Sequence, residues 1–306
     1  MLGAGAVGGY FGGRLAEAGA DVTFLIRERR AAQLTEQGLV VKSTLGDLRL
    51  PVKTVTAGRI DAPYDVVLLT AKAYDLDSAL DSIAPAVGAE SAVLPLLNGI
   101  VHLEALDRRF GAQRVLGGVA HIASTLSAEG EILHLNRVHA FTYGERNAPT
   151  SARCEALAAD LAKTSLAWRL SPNINQVLWE KFVMLASLAA MTCLMRASVG
   201  KIMRADDGKA ITLELLEECR QVAAAEGFDP RAEQIAQNRA MLTDATSEFT
   251  ASMLRDIEAG GRTEGEHIIG DMLRRARAKD IAAPLLRTVY CHLQSYEARR
   301  AASSAL

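Results

Sequence analysis

The sequence lacks a strong excess of charge of either sign and has few cysteines, and each shortage argues against a class of function. Its 34 Lys and Arg residues nearly balance its 36 Asp and Glu residues, for a formal net charge of -2. The overall charge therefore does not favour binding to nucleic acid or to an anionic membrane. The four cysteines lie far apart and form no CxxC pair, which favours reduced thiols in a cytoplasmic protein over a disulfide framework.

Long hydrophobic runs and metal-ligand patterns are also missing. The longest apolar run, residues 182–195, spans 14 residues and contains Ser187 and Thr192, so it is too short for a membrane span and indicates a buried helix. Only two residues precede the first glycine, and we expect no signal peptide. His134 and His139 are five apart in a strand-like stretch, so their side chains should point to opposite faces. We therefore predict no metal site.

The first half of the chain alternates strand-like and helix-like segments. Apolar runs at 65–72 and 91–99 indicate buried parallel strands, and the segments within 39–55 indicate an inserted hairpin. Later segments between about 114 and 145 indicate further short strands. Strands alternating with helices predict an α/β fold with a Rossmann-like doubly wound parallel sheet.

The character of the chain changes after Trp168. Residues 169–175, with the sequence RLSPNIN, have the composition of a linker, and the segments beyond them have helical patterns. The length of 306 residues is about twice that of a typical domain. We therefore predict an NADP-binding Rossmann-like domain over residues 1–168 and an all-α substrate and dimerisation domain over residues 169–306.

A glycine-rich turn at the start of the chain predicts a dinucleotide site. The turn comprises Gly3, Gly5 and Gly8, with Ala6 and Val7 among them. In a GxGxxG turn the glycines let the backbone approach a pyrophosphate, which then faces the N-terminus of the following helix. A first strand needs about five residues, so either this strand is short or the natural chain starts upstream. The alternative is a glycine-rich helical hairpin.

The end of the second strand of such a fold selects the cofactor. An acidic residue there binds the ribose 2′-hydroxyl of NAD, whereas an arginine accommodates the 2′-phosphate of NADP. This chain has Arg27 at that point, with Arg29 and Arg30 close behind, which predicts NADP. Glu28 would become the NAD-type acid if the register were shifted by one residue, and Arg27 is also consistent with a solvated strand end.

Five segments in order resemble those of a known enzyme family. They read GAGAVGGYFGG, LTAKAY, LLNG, LWEKF and SMLRDIEAGGRTEGEHIIG. Together they cover essentially the whole chain and resemble 2-dehydropantoate 2-reductase, also called ketopantoate reductase, an enzyme of pantothenate biosynthesis. The resemblance implies NADPH-dependent reduction of a 2-keto acid in an interdomain cleft, commonly in a cytoplasmic homodimer.

The resemblance also implies roles for individual residues. Lys181 matches the catalytic lysine, whose ammonium group stabilises the oxyanion formed on hydride addition and donates the proton. Glu264 matches an acid that contacts substrate and helps to hold the lysine. Asn98 and Lys72 match residues beside the nicotinamide cofactor, and both follow predicted strands at the edge where α/β sheets bind ligands. Ser252 matches a serine that binds the substrate carboxylate.

Three of these residues have simpler structural interpretations. Lys181 is also consistent with a surface lysine whose stem covers apolar neighbours. Ser252 is also consistent with a hydroxyl on a helix surface, and Asn98 with the first residue of an Asn-Gly turn.

Glu264 has a structural alternative of its own. Thr263 and Glu266 have the T-x-x-E spacing of a capping box, in which the threonine caps a helix and the glutamate completes the box. Glu264 would then be a first-turn acid that suits the helix dipole.

The sequence departs from the pantoate-forming enzymes on the face of the catalytic lysine. Those enzymes carry asparagines four and eight residues after the lysine, where this chain has Leu185 and Ala189. The three positions share one stripe of a helix. A histidine that often precedes the Asn-Gly pair is Leu97 here. We hypothesise that the substrate is a less polar 2-keto acid, since hydrocarbon at these positions leaves a substrate hydroxyl without partners.

Two other functions remain open at this point. The same fold is compatible with reduction of another carbonyl or imine, as in opine-type dehydrogenases. A non-catalytic NADP-binding sensor is the alternative of a different class, and the presence of both Lys181 and Glu264 argues against it.

Overall fold

The structure is a computed structural model that describes residues 1–303. The chain divides into two compact units. The first contains residues 1–97 and 102–174, and the second contains residues 98–101 together with the chain from Asn175 onward. The division thus comes a few residues after the predicted boundary at 168, and the segment 98–101 belongs to the second unit.

The first unit contains five α-helices and nine strands among its described residues. The helices are α1 (Ala6–Glu17), α2 (Glu28–Gln37), α3 (Leu76–Ile83), α4 (His102–Phe110) and α5 (Ala152–Leu161). The strands are β1 (Thr23–Leu25), β2 (Leu39–Lys42), β3 (Leu48–Leu50), β4 (Lys53–Val55), β5 (Val66–Leu69), β6 (Ala92–Pro95), β7 (Gly117–Leu126), β8 (Ile132–Gly144) and β9 (Ala167–Leu170).

A parallel sheet follows the order expected of a dinucleotide-binding fold. Strands β4 and β1 pair in parallel, as do β5 and β6. Leu2 joins the two pairs through parallel bridges to Leu25 and Leu69. The backbone N–H of Leu2 donates to Leu68 O at 2.8 Å, and that of Gly3 donates to Leu25 O at 3.0 Å. The first strand is therefore reduced to a single bridged residue at the centre of the sheet, and the predicted α/β fold is confirmed.

A second sheet packs the hairpin of β7 and β8 beside β2 and β3. Its order is β3-β2-β8-β7, with β9 pairing in parallel with β8. The predicted hairpin within 39–55 is present only in part, because β2 and β3 pair antiparallel while β4 joins β1 in the other sheet. The predicted short strands between 114 and 145 are two long ones, β7 and β8.

The two histidines of β8 do not point to opposite faces. The rings of His134 and His139 stack with centroids 6.1 Å apart, and His139 Nδ1 hydrogen-bonds the hydroxyl of Tyr10 at 2.8 Å. The reason is an irregularity opposite Ile122 and Ser124, where β8 advances five residues while β7 advances two. Strand β8 thus has three more residues than β7 across this irregularity. Because three is an odd number, the side chains of β8 beyond it point to the opposite face from the one that regular alternation predicts. Residues 1–303 contain no group of three His, Cys, Asp or Glu side chains that could hold a metal ion.

The second unit is helical throughout its described residues. Its α-helices are α6 (Ile174–Met195), α7 (Val199–Ile202), α8 (Gly208–Ala225), α9 (Ala232–Leu242), α10 (Ser252–Glu258), α11 (Asp271–Ala278) and α12 (Pro284–Ser303). A π-helical turn, Glu266–Gly270, runs directly into α11. The predicted all-α second half is thereby confirmed.

Helix α6 is the most apolar element of the second unit. By length and composition it could cross a membrane, with a mean hydropathy of 1.6 over its most apolar 18-residue window. However, 72% of that window is buried inside the protein. Such burial is typical of the core helix of a soluble protein, and it agrees with the buried helix predicted from the sequence.

Candidate active site

Lys181 lies near the start of α6 and is only partly exposed. Burial lowers the pKa of Lys181 to about 8, and the negative charge of Glu264 opposes this fall. Glu264 itself is buried, with 4% of its surface exposed. The structure therefore brings together the two residues that the sequence predicts to be catalytic. An ammonium group with a pKa near neutrality can both stabilise an oxyanion and release its proton.

The two residues before Lys181 fix the rotation of α6. The carboxylate of Glu180 accepts from Arg231 Nε at 2.8 Å and from the Arg231 terminal nitrogen at 2.6 Å. Burial alone would raise the pKa of Glu180, but the hydrogen bonds, chiefly those from Arg231, outweigh it and lower that pKa. Trp179 stacks on Phe228 with ring centroids 5.9 Å apart. Because both neighbours are held, the direction in which Lys181 projects is fixed as well.

Glu264 sits on a backbone segment held from both sides. Before it, the N–H and hydroxyl of Thr263 donate to Glu297 Oε1 at 2.7 and 2.8 Å. After it, the carbonyl of Glu264 accepts from the N–H groups of His267 and Ile268 at 3.1 and 3.0 Å. The π-helical turn begins here, and π turns occur frequently at functional sites.

The alternative capping box is not formed. In such a box the carboxylate of Glu266 would accept from the backbone N–H of Thr263. That N–H instead donates to Glu297, while Glu266 accepts hydrogen bonds from Arg274 and Tyr290. The T-x-x-E spacing therefore does not explain this segment.

Asn98 belongs to the same unit as Lys181 and Glu264. It follows β6 and is partly exposed, and Gly99 after it has φ +76°. A Cβ atom on Gly99 would lie 3.1 Å from the carbonyl oxygen of His267 and 3.9 Å from the ring of Phe182. The Asn-Gly turn is therefore real, and it packs against both the π-helical turn and α6. Three segments that carry predicted site residues thus converge.

The remaining substrate-site predictions lie on α6 beyond Lys181 and at the start of α10. Leu185 is partly exposed, whereas Ala189 is fully buried. Ser252 is partly exposed, and the N–H of Ala251 before it is 3.4 Å from the hydroxyl of Thr192. Thr192 is eleven residues beyond Lys181, or about 16 Å along the helix axis. Ser252 is therefore near the later turns of α6, and its role in substrate binding stays a prediction.

The glycine-rich turn of the first unit has the geometry of a phosphate-binding loop. Gly3 has φ +91°, which favours glycine. A Cβ on Gly8 would lie 2.3 Å from the hydroxyl of Thr70 and 2.4 Å from the carbonyl of Gly3. By contrast, a Cβ on Gly5 would meet nothing within 4 Å. The turn is thus tightly packed on its inner side and open at Gly5, where α1 begins with Ala6 and Val7.

Two residues that support this turn were not predicted. Thr70 follows β5, and its hydroxyl donates to Leu2 O at 2.7 Å. Arg30 donates to Ala4 O from two nitrogens, at 3.2 and 3.0 Å, and to Gly130 O at 2.8 Å. The only signal for Thr70 was its place as a polar residue at the end of a buried strand. For Arg30 the sequence gives only its place close behind Arg27, and the structure shows that its side chain helps to hold the turn.

The predicted cofactor selector remains accessible. Arg27 is exposed and is the residue immediately before α2. Arg29 is exposed as well, whereas Arg30 is engaged by the turn. Lys72 is partly exposed and comes just before the short 3₁₀ helix Ala73–Asp75 that follows β5. Arg27 thus has the position from which a 2′-phosphate is bound in this fold.

Family comparisons match both halves of the chain. The family described as ketopantoate reductase PanE/ApbA matches residues 1–148. Its C-terminal counterpart, described as ketopantoate reductase PanE/ApbA C terminal, matches residues 173–297. The chain belongs to the ketopantoate reductase family. The resemblance inferred from the sequence is thereby confirmed, and it indicates an oxidoreductase that acts on CH–OH groups with a nicotinamide cofactor.

Individual relatives agree with this assignment over nearly the whole chain. An uncharacterized oxidoreductase, YkpB of Bacillus subtilis (strain 168), is 37% identical over 302 residues, which are 98% of this chain and 99% of that protein. The crystal structure of 2-dehydropantoate 2-reductase from Geobacter metallireducens GS-15 has a TM-score of 0.87 at 30% identity, covering 96% of this chain and 98% of that one. D-mandelate dehydrogenase, solved with NADH and anilino(oxo)acetate, shares the fold, with a TM-score of 0.86 at 20% identity over 98% and 99% of the two chains.

Proposed function

We propose that this protein reduces a 2-keto acid to the 2-hydroxy acid with NADPH, with Lys181 as the general acid. The observation that carries the proposal is the pairing of Lys181, with a pKa lowered to about 8, with the buried Glu264. A lysine on an ordinary surface keeps a pKa near 10.4 and gives up its proton poorly at neutral pH. Family membership supplies the class of reaction, and this pair supplies the acid.

The chemistry divides between the cofactor and the side chains. When bound, NADPH supplies a hydride to the keto carbon. Negative charge then develops on the keto oxygen, where the ammonium group of Lys181 stabilises it and transfers a proton to form the hydroxyl. Lys181 is left as a neutral amine and regains a proton from solvent. Glu264 favours the charged form of the lysine between turnovers.

The residues of the glycine-rich turn fit a dinucleotide. The open side of Gly5, the left-handed Gly3 and the exposed start of α1 leave room for a pyrophosphate at a helix N-terminus. Arg27 is the residue proposed to bind the 2′-phosphate, which makes NADP the preferred cofactor. The roles of Asn98 and Lys72 beside the nicotinamide stay predictions, as do the interdomain cleft, the cytoplasmic location and the homodimer.

Cofactor preference is tested by Arg27→Ser. We expect KM for NADPH to rise about tenfold while KM for NADH stays within twofold, because only NADPH carries the phosphate. Arg59→Ser is the matched control, since Arg59 is also an exposed arginine of the first unit. Equal effects of Arg27→Ser on both cofactors would contradict the proposal.

The substrate proposal concerns Leu185 and Ala189, which follow Lys181 on the same side of α6. Leu185 is partly exposed one turn along α6, where a pantoate-forming enzyme has an amide. We propose that the preferred 2-keto acid is less polar than ketopantoate. D-mandelate dehydrogenase, which shares this fold, has been solved with anilino(oxo)acetate. A panel of 2-keto acids with NADPH tests this, and a far higher kcat/KM for ketopantoate than for apolar analogues would refute it.

The general-acid role is tested by Lys181→Ala. We expect kcat to fall by at least a hundredfold, in the range reported for loss of acid–base groups, while NADPH binding measured by fluorescence is retained. Lys209→Ala is the matched control, because Lys209 is an exposed lysine of the same unit. A protein that binds NADPH but turns over no 2-keto acid in the wild-type form would instead support the sensor alternative. Turnover restricted to other carbonyls or imines would support the opine-type alternative.

A further inference from the structure

The second unit contains a cavity that the proposed reaction does not use. It has a volume of about 520 Å³ and lies between the π-helical turn, α11 and α12. Its walls are formed by Glu266, Gly270, Arg274, Arg277, Arg287, Tyr290, Cys291 and Gln294. The volume is in the range of pockets that hold small organic ligands, about 300–1,000 Å³.

The lining is strongly cationic. Three guanidinium groups face one carboxylate, that of Glu266. Arg274 is already engaged, since it pairs with Glu266 and lies 3.5 Å from Asp271. Arg277 and Arg287 are exposed and form no ion pair within residues 1–303. The cavity therefore carries two positive charges that the protein does not neutralise.

On one side of the cavity, Glu266, Arg274, Tyr290 and Gly270 contact one another closely. Glu266 accepts hydrogen bonds from both Arg274 and the hydroxyl of Tyr290. A Cβ on Gly270 would lie 2.9 Å from the Tyr290 ring and 3.2 Å from Glu266 Oε1. The absence of a side chain at Gly270 thus allows the carboxylate and the tyrosine to meet. Arg274 is thus paired with Glu266 at the exposed edge of the cavity, whereas Arg277 and Arg287 remain available.

The cavity is separate from the catalytic pair. Glu264 lies just before the π-helical turn, and Glu266 is its first residue. Glu264 interacts with Lys181, whereas Glu266 accepts hydrogen bonds from Arg274 and Tyr290. The segment before the turn therefore carries the proposed catalytic acid, while the turn itself lines the cavity.

We propose that this cavity binds a small organic phosphate monoester. A phosphate monoester carries close to two negative charges at neutral pH, which match the two unneutralised arginines. Arginine binds phosphate through paired N–H groups that fit its oxygens. The volume exceeds that of a bare phosphate and leaves room for an organic group beside Gln294 and Cys291. The ligand class is thus set by charge, donor type and size.

The experiment measures binding of glycerol 3-phosphate by calorimetry to the full chain saturated with NADP⁺, so that the glycine-rich turn is not available to the probe. We expect a dissociation constant below 1 mM, and at least tenfold weaker binding by Arg277→Gln/Arg287→Gln. The matched control, Arg204→Gln/Arg299→Gln, removes two exposed arginines outside the cavity and should bind like the wild type. Unchanged far-UV circular dichroism and melting temperatures of both double variants would show that they are folded.

Other outcomes overturn the proposal. Equal weakening by both double variants would mean a general charge effect, and no binding by the wild type would mean that the cavity is not a phosphate site. Malonate and glycerol are the comparison probes. Tighter binding of malonate than of glycerol 3-phosphate would assign the cavity to dicarboxylates. Sedimentation that shows dissociation of an oligomer by Arg277→Gln/Arg287→Gln, without phosphate binding, would assign this face to a second copy of the chain. None of these outcomes depends on the proposed reductase activity.

Discussion

Glu264→Gln tests how the site keeps a proton on Lys181. The substitution preserves the size of the side chain and removes its negative charge. Burial already lowers the pKa of Lys181 to about 8 against an ordinary value of 10.5, and the charge of Glu264 opposes that fall. Without this charge the pKa must fall further, and the acid must be lost at lower pH.

The expected change in the pKa of Lys181 follows from the effect of burial and the effect of the Glu264 charge. A fall from 10.5 to about 8 corresponds to about 3 kcal/mol against the ammonium form, at about 1.4 kcal/mol per pH unit. A nearby opposite charge changes a pKa by about 1 to 3 pH units. Loss of Glu264 should therefore lower the pKa of Lys181 further, by about 1 to 3 pH units. The protonated fraction of Lys181 at pH 7 should fall accordingly.

The assay is the pH dependence of kcat/KM for reduction, which reports the pKa of the essential acid in the free enzyme. The wild type should lose activity as the pH rises through about 8. Glu264→Gln should lose it at least one pH unit lower and recover most of its rate near pH 5. In the direction of alcohol oxidation the neutral amine is the active form, so the variant should gain activity at lower pH than the wild type.

The control is Glu258→Gln, which removes a carboxylate from an exposed position of α10 and should leave the profile in place. Two results would refute the reasoning. A Glu264→Gln profile with an unchanged midpoint would mean that Glu264 does not set the pKa of Lys181. A uniform loss of rate at every pH would mean that Glu264 acts by positioning alone.

Two further predictions concern parts of the molecule outside this pair. Gly5→Ala should weaken NADPH binding but leave the melting temperature unchanged, because the new Cβ meets no protein atom within 4 Å. Gly8→Ala should also lower the melting temperature, because its Cβ would lie 2.4 Å from the backbone of the turn. Equal melting temperatures for the two variants would contradict this. Arg231→Met should lower the free energy of unfolding in urea by about 2 kcal/mol at pH 7, since the buried Glu180 loses charged hydrogen bonds. The loss should disappear as the pH falls through the lowered pKa of Glu180, and an equal effect of Arg204→Met would argue against the pairing.

The alternation of elements in the first unit could be predicted because period and composition are local properties. The pairing of strands is not local. The segment 39–55 has the pattern of a hairpin, yet β4 leaves it to pair with β1. Similarly, regular alternation predicted opposite faces for His134 and His139, and the irregular register of β8 reversed that result. Both differences arise from which strands are neighbours, which a single sequence does not encode in its periodicity.

The proposed catalytic pair could be predicted only through family resemblance. Lys181 and Glu264 are 83 positions apart, and no helical or strand period relates them. The π-helical turn that follows Glu264 has no sequence signature comparable to the capping box, and that box was the simpler interpretation of this segment. The role of Arg30 in holding the glycine-rich turn could not be predicted for a similar reason, because its contacts with Ala4 and Gly130 depend on the tertiary fold.

The start of α6 combines anchoring and chemistry in three consecutive residues. Successive residues of an α-helix point about 100° apart, so Trp179, Glu180 and Lys181 project in three different directions. The first stacks on an aromatic ring, the second pairs its buried carboxylate with the exposed Arg231, and the third interacts with Glu264. With two of its directions fixed, the helix cannot rotate to carry the ammonium group toward water. A lowered pKa for Lys181 is thus maintained by its neighbours, since a helix free to rotate would return the lysine to solvent and to its ordinary pKa.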